Sequence, residues 1–173
     1  MNNPVFSNIF RFVLFLLLQI FICNHIHLFG FINPNIYLLA LLLLPFDIPR
    51  PVQYLIAFAT GFIVDIFQMT FGIHASAALL IMFLRPYWVA ALNIGKKKVE
   101  KMEVPIPGQN DLKWLVTYTS VLVLLHQILV TMLEVFSFYR FGYTMLGILV
   151  NTAFTTLLIL CIQYIFMQGK KNI

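Results

Sequence analysis

Charge is scarce in this chain. Asp, Glu, Lys and Arg make up 10% of its 173 residues, against roughly 25% in an ordinary soluble domain. That scarcity excludes a soluble globular fold and a charge-rich disordered tail together. Cysteine is scarcer still. Cys23 and Cys161 both sit inside apolar runs, so no disulfide framework is expected. Acidic residues number 6 against 11 Lys and Arg, for a net charge of +5. In a chain this apolar, such a balance reports membrane topology and contact with anionic membrane lipid, not nucleic acid. Catalytic motifs are also missing. There is no Gly-x-Ser-x-Gly, no phosphate loop and no pair of intramembrane aspartates. His74 and Ser76 stand two apart, so on one helix they point different ways. Without a His-Glu-x-x-His or a close cysteine pair, no metal or other cofactor is expected. The residues do not point to an enzyme.

What is present is hydrophobic: 61% of the residues, with a mean hydropathy of +0.93. A chain this short keeps much of its surface exposed, so the solvent for that surface is lipid. A spanning helix needs about 20 mostly apolar residues. The runs predict a single all-α domain over 1–173, a six-helix membrane bundle with spans near 9–29, 33–46, 52–67, 73–92, 112–136 and 143–167. No small-x-small cleavage site follows the first run, so it is expected to be a retained helix and not a signal peptide. Residues 93–111 form a basic loop carrying Lys96, Lys97, Lys98 and Lys101. These lysines could attract anionic headgroups or serve as a plain topology signal.

The second run is the short one. Ile36 to Phe46 reaches only about 17 Å as a helix, roughly half the hydrocarbon thickness. Charge parity argues that it crosses. With six crossings and both termini in the cytoplasm, ten of the eleven Lys and Arg fall on the inner side and only Arg140 outside. A short crossing needs a thinned bilayer, a tilt, or protein covering its ends.

Ionisable groups inside a membrane face protein or water. Asp65 is the sharpest case. Ala57, Gly61 and Asp65 share one helical face, a small-residue stripe that lets another backbone approach closely. Asp65 is then either an interhelical hydrogen-bonding group or a ligand- or proton-binding one. His74, Glu134, Arg140, Asn24, His25 and His27 are expected near it in an outer polar cap. Arg85-Pro86 is the second feature. Pro86 should kink the fourth helix, and Arg85 either snorkels inward or pairs with Asp47. Gly147, Asn151 and Thr155 form a further small-polar stripe, as do Gln19, Cys23 and His27.

Several of these stretches resemble the rod shape-determining protein MreD family. They are Asn24 to Pro34 (Asn-His-Ile-His-Leu-Phe-Gly-Phe-Ile-Asn-Pro) and Leu43 to Arg50 (Leu-Leu-Pro-Phe-Asp-Ile-Pro-Arg). Gly61-Phe62-Ile63-Val64-Asp65, Phe71-Gly72-Ile73-His74-Ala75 and Phe83-Leu84-Arg85-Pro86 follow in order. The resemblance covers about residues 9 to 92. It implies a non-enzymatic component of the bacterial inner membrane that takes part in cell-wall elongation. The expected partners are the bitopic protein MreC and, within the same complex, MreB, RodA and a penicillin-binding transpeptidase. It also implies a fold like the substrate-binding subunits of energy-coupling-factor transporters. Gly61, Asp65, Gly72, His74, Arg85 and Pro86 are implied as motif positions: candidate partner-interface or structural residues. A vitamin-binding transporter subunit is the competing function. It requires a closed, aromatic-lined pocket, whereas a scaffold requires a small-residue seam open to lipid.

Overall fold

The computed structural model describes residues 4–23, 33–93, 111–135 and 141–168. The basic loop's lysines, Asn24, His25, His27 and Arg140 lie outside them. The described residues are helical, with six helices and no strand: α1 Pro4–Phe21, α2 Tyr37–Leu42, α3 Arg50–Gln68, α4 Ile73–Leu92, α5 Leu112–Val135 and α6 Phe141–Gln168. Four of them, α3 to α6, are long and apolar enough to cross a membrane, which makes the chain an α-helical membrane protein. α1 contributes a shorter apolar run, Phe10–Phe21.

Lipid explains where the large apolar side chains go. Leu55, Phe58, Phe62 and Ile66 recur at helical spacing on α3 and are all exposed, while Ala57, Gly61, Val64 and Asp65 on the other face are buried. Leu146, Leu149, Leu157 and Ile165 are likewise exposed on α6. In water such faces would be an aggregation hazard. In a bilayer they are the ordinary outer surface.

α2 behaves differently. Its six residues rise only about 9 Å, shorter than the 33–46 span the sequence predicts, and every one of them is buried. Irregular backbone at membrane depth is tolerated only inside protein, and that is where this segment sits. Tyr37, Leu38, Leu39, Leu41 and Leu42 form the middle of the core, with Phe15, Ile81, Met82, Leu122 and Ile159 around them. The flanking segments carry the chain onward. Tyr37 meets His74 and His126, whereas the carbonyls of Leu42 and Leu44 meet Arg85. His74 and Arg85 are about 16 Å apart along α4. The short helix therefore runs beside α4 from a histidine end of the bundle to an arginine end.

The other helices alternate between these ends. α1 finishes at the histidine end, where Gln19 bonds to Pro34 and Tyr37. α3 rises to Asp65 there, and α4 returns to Arg85. α5 passes Tyr118 at the arginine end before His126 at the other. α3 packs on α4, α4 on α5, and α5 on α6. α4 continues through Pro86 without a break, although the proline leaves the Met82 carbonyl without its usual helical donor.

Candidate functional site

At the histidine end the chain reverses from α3 into α4 in four residues. Met69 closes α3 in the left-handed region at φ 57°. Gly72 precedes α4 at φ 81°, with no atom near enough to crowd a side chain. The glycine is needed for its backbone conformation and not for space. Gly72 also offers α4 no capping side chain. Asp65, one turn back in α3, does the capping instead. Its Oδ2 accepts the Ala75 N–H at 2.9 Å. Its Oδ1 accepts the His74 N–H at 2.9 Å and the Thr70 hydroxyl at 2.6 Å. The His74 ring adds a fourth contact, Nδ1 to Oδ1 at 3.1 Å. A carboxylate on two helix-starting amides is favoured by hydrogen bonding and by the dipole of α4 together.

Gly61 makes this reach possible. A Cβ at position 61 would lie 2.5 Å from Ala75 Cα and 2.5 Å from the His74 carbonyl oxygen. The two helices thus touch backbone to backbone, one turn below the Asp65 cap. The backbone that the Ala57-Gly61-Asp65 stripe admits is that of α4, so at Gly61 the structural reading holds over the partner-interface one.

A layer of amides lies beside the turn. Asn33 N–H donates to Asn151 Oδ1 at 2.8 Å, and Asn35 N–H to Thr155 Oγ1 at 3.5 Å. The Asn35 side chain donates to Gln127 Oε1 at 3.1 Å, and Gln19 Oε1 accepts the Tyr37 N–H at 3.2 Å. These side chains hydrogen-bond the backbone entering α2 and so help satisfy its polar groups. The α6 stripe is glue, as its spacing suggested, through Asn151 and Thr155. Gly147 is not, because nothing approaches it. Below this layer the Tyr37 hydroxyl and His126 Nε2 share a short hydrogen bond. The His74 ring stands 6.2 Å from Tyr37 and 6.3 Å from His126, centroid to centroid. His126 Nδ1 is buried with no partner.

Two neighbouring cavities open at this end, of about 330 and 160 Å³. Asn33, Gln68 and Glu134 line both. His74, Gln127 and Tyr143 line the smaller one. The sequence-predicted cap is thus present in part: His74 and Glu134 share a cavity, and Asp65 is sealed behind His74.

Arg85 is at the opposite end, and it does not snorkel. It is fully buried. Its Nε donates to the Tyr118 hydroxyl at 2.8 Å and its Nη2 to the carbonyls of Leu42 and Leu44. The guanidinium carbon stands 3.9 Å over the Phe46 ring. Tyr118 completes the ring of contacts by donating to Leu42 at 3.2 Å. Arg85 therefore holds the final carbonyl of α2, a group a helix end leaves unsatisfied, and a second carbonyl just past it. Asp47, the expected counter-ion, is exposed and makes no ion pair with it. Carbonyls and an aromatic face take that role.

The structure thus joins Gly61, Asp65, Gly72 and His74 into one turn and sends Arg85 and Pro86 to the other end. Sequence reasoning missed Tyr37, Tyr118, His126 and Gln127. The one available signal was their polarity within apolar runs, which does not say what they face. Among the described residues, no group of three His, Cys, Asp or Glu is placed to hold a metal. The chain matches no protein-family model, no curated protein and no solved structure.

Proposed function

We propose that this protein is a non-enzymatic membrane scaffold of the bacterial cell-wall elongation machinery, resembling MreD and working beside an MreC-type bitopic partner in the inner membrane. One observation carries the reading. The motif residues behind the resemblance are struts: Gly61, Asp65, Gly72 and His74 lock the α3–α4 turn, and Arg85 locks α2. A fold in which buried charge is spent on holding helix ends suits a protein whose task is to present surfaces. The small-residue face of α3 is closed by α4, so the surfaces left for a partner are the large-apolar, lipid-facing sides of α3 and α6. A transporter subunit would use a closed pocket lined by aromatics. The two cavities are open and amide-rich, with Phe67 and Tyr143 as aromatic members.

Affinity purification of the tagged protein from its own membranes tests the reading. Recovery of a single-span MreC-type protein, together with MreB, RodA or a penicillin-binding transpeptidase, is the expected result. Recovery of transporter subunits in their place would overturn it.

A further inference from the structure

The paired cavities at the histidine end have a chemistry that the scaffold reading does not use. They are lined from α1, from the segment entering α2, and from α3 to α6. A water occupies about 30 Å³ in the liquid, so about 330 and 160 Å³ is room for a small ligand or a lipid headgroup. Among the described lining residues there is one formal charge, Glu134, and no Lys or Arg. Glu134 lines both cavities and makes no ion pair with a described cation. A second negative charge, Asp65, lies directly behind the wall.

The polar groups on that wall are able to accept. The Asp65 carboxylate only accepts, so His74 Nδ1 carries the proton between them. In the neutral ring this leaves Nε2 as an acceptor, on a side chain that lines the smaller cavity. Thr131 lines the same cavity one turn before Glu134, and its hydroxyl accepts as readily as it donates. Negative potential with several directional acceptors selects a positively charged nitrogen that still carries hydrogens. A bare metal ion would need three close ligating groups, and the described residues supply no such group.

We propose that this cavity binds a primary ammonium group, with Glu134 as its counter-ion and His74 and Thr131 as hydrogen-bond acceptors. The proposal stands apart from the scaffold reading, since either can fail alone. Two sources share this chemistry: the ethanolamine headgroup of a membrane lipid and a free small amine.

The test uses the full chain, purified in detergent and followed by native mass spectrometry and thermal unfolding. The probes are phosphatidylethanolamine, phosphatidylcholine of the same acyl chains, free ethanolamine and choline. Choline and its lipid carry the charge without N–H donors. The expected result is retention of phosphatidylethanolamine over phosphatidylcholine. Glu134→Gln should weaken that retention about ten- to a hundredfold, as for loss of a charge-assisted hydrogen bond. Glu134→Asp should keep part of it. If free ethanolamine also binds and displaces the lipid, the natural ligand class is a soluble amine. If it does neither, the class is the headgroup. Because Glu134 lies at the rim, both variants should elute as the wild-type protein does. Equal retention of the two lipids with no ethanolamine binding would overturn the proposal. So would undiminished ethanolamine-lipid retention in Glu134→Gln.

Discussion

The two ends of the bundle solve one problem with opposite charges. At the histidine end, the Asp65 carboxylate meets the first amides of α4. At the arginine end, the Arg85 guanidinium meets the Leu42 carbonyl that ends α2 and the Leu44 carbonyl just past it. Each charge sits where the helix end has the complementary sign. Neither depends on a carboxylate–guanidinium pair, whose desolvation is costly in an apolar interior. The ends differ in completeness. Both Asp65 oxygens are met, four donors converging on them. Arg85 keeps Nη1 without a partner and relies on the Phe46 ring for the rest. They differ also in what adjoins them: open, polar cavities at the histidine end, a stacked Trp114–Tyr118 pair at the arginine end. The lesson is that buried charge here serves helix ends, and the group left available to a ligand, Glu134, is at the rim.

The largest effect is expected for Gly61→Leu. A branched side chain would have to enter the Ala75 backbone, and overpacking costs about 1–3 kcal/mol even where neighbours can shift. Here the neighbour is main chain. The variant should fail to accumulate, as an immunoblot of isolated membranes would show.

Arg85→Leu comes next. It leaves the Leu42 and Leu44 carbonyls without their donor, at about 1–3 kcal/mol for each buried group left unsatisfied. Arg85→Lys keeps the charge but not the planar fork that reaches Tyr118 and two carbonyls at once. Thermal unfolding should rank wild type above Lys and Lys above Leu. A lysine variant as stable as wild type would remove the fork from the account.

Asp65 gives a third, graded case. As a plain interhelical hydrogen-bonding group, Asp65 would tolerate Asn with a mild loss. The geometry changes that expectation. Both oxygens accept, so an amide nitrogen at either position would face a donor. Asn should cost about 1–3 kcal/mol, and Leu more, because it abandons every donor. The smallest effect is expected at Gly72. An alanine there has space but an unfavourable φ, worth about 1 kcal/mol, a modest fall in the unfolding midpoint.

Much of the histidine end was legible in the sequence because its residues are close along the chain. Gly61, Asp65, Gly72 and His74 fall within fourteen positions, so helical period and turn chemistry bring them together. The arginine end was not legible. Arg85 meets carbonyls 41 and 43 positions away, and main-chain carbonyls leave no mark in a sequence. Tyr37 and His126, 89 positions apart, were hidden for the same reason. Helix number and order were readable from apolar runs. The shortness of α2 was readable too, but its complete burial was not, since a continuous apolar run faces lipid or protein with equal ease.

If the motif residues hold the fold, they are not themselves the partner surface. Gly61→Ala tests it most directly, because the variant is small enough to be purified. The unfolding midpoint of the purified protein and the recovery of the proposed single-span partner should be measured on the same preparation. The midpoint should fall by several degrees, as about 1–3 kcal/mol implies for a domain of this size. Partner recovery per folded molecule should be unchanged. A wild-type midpoint together with loss of the partner would contradict it.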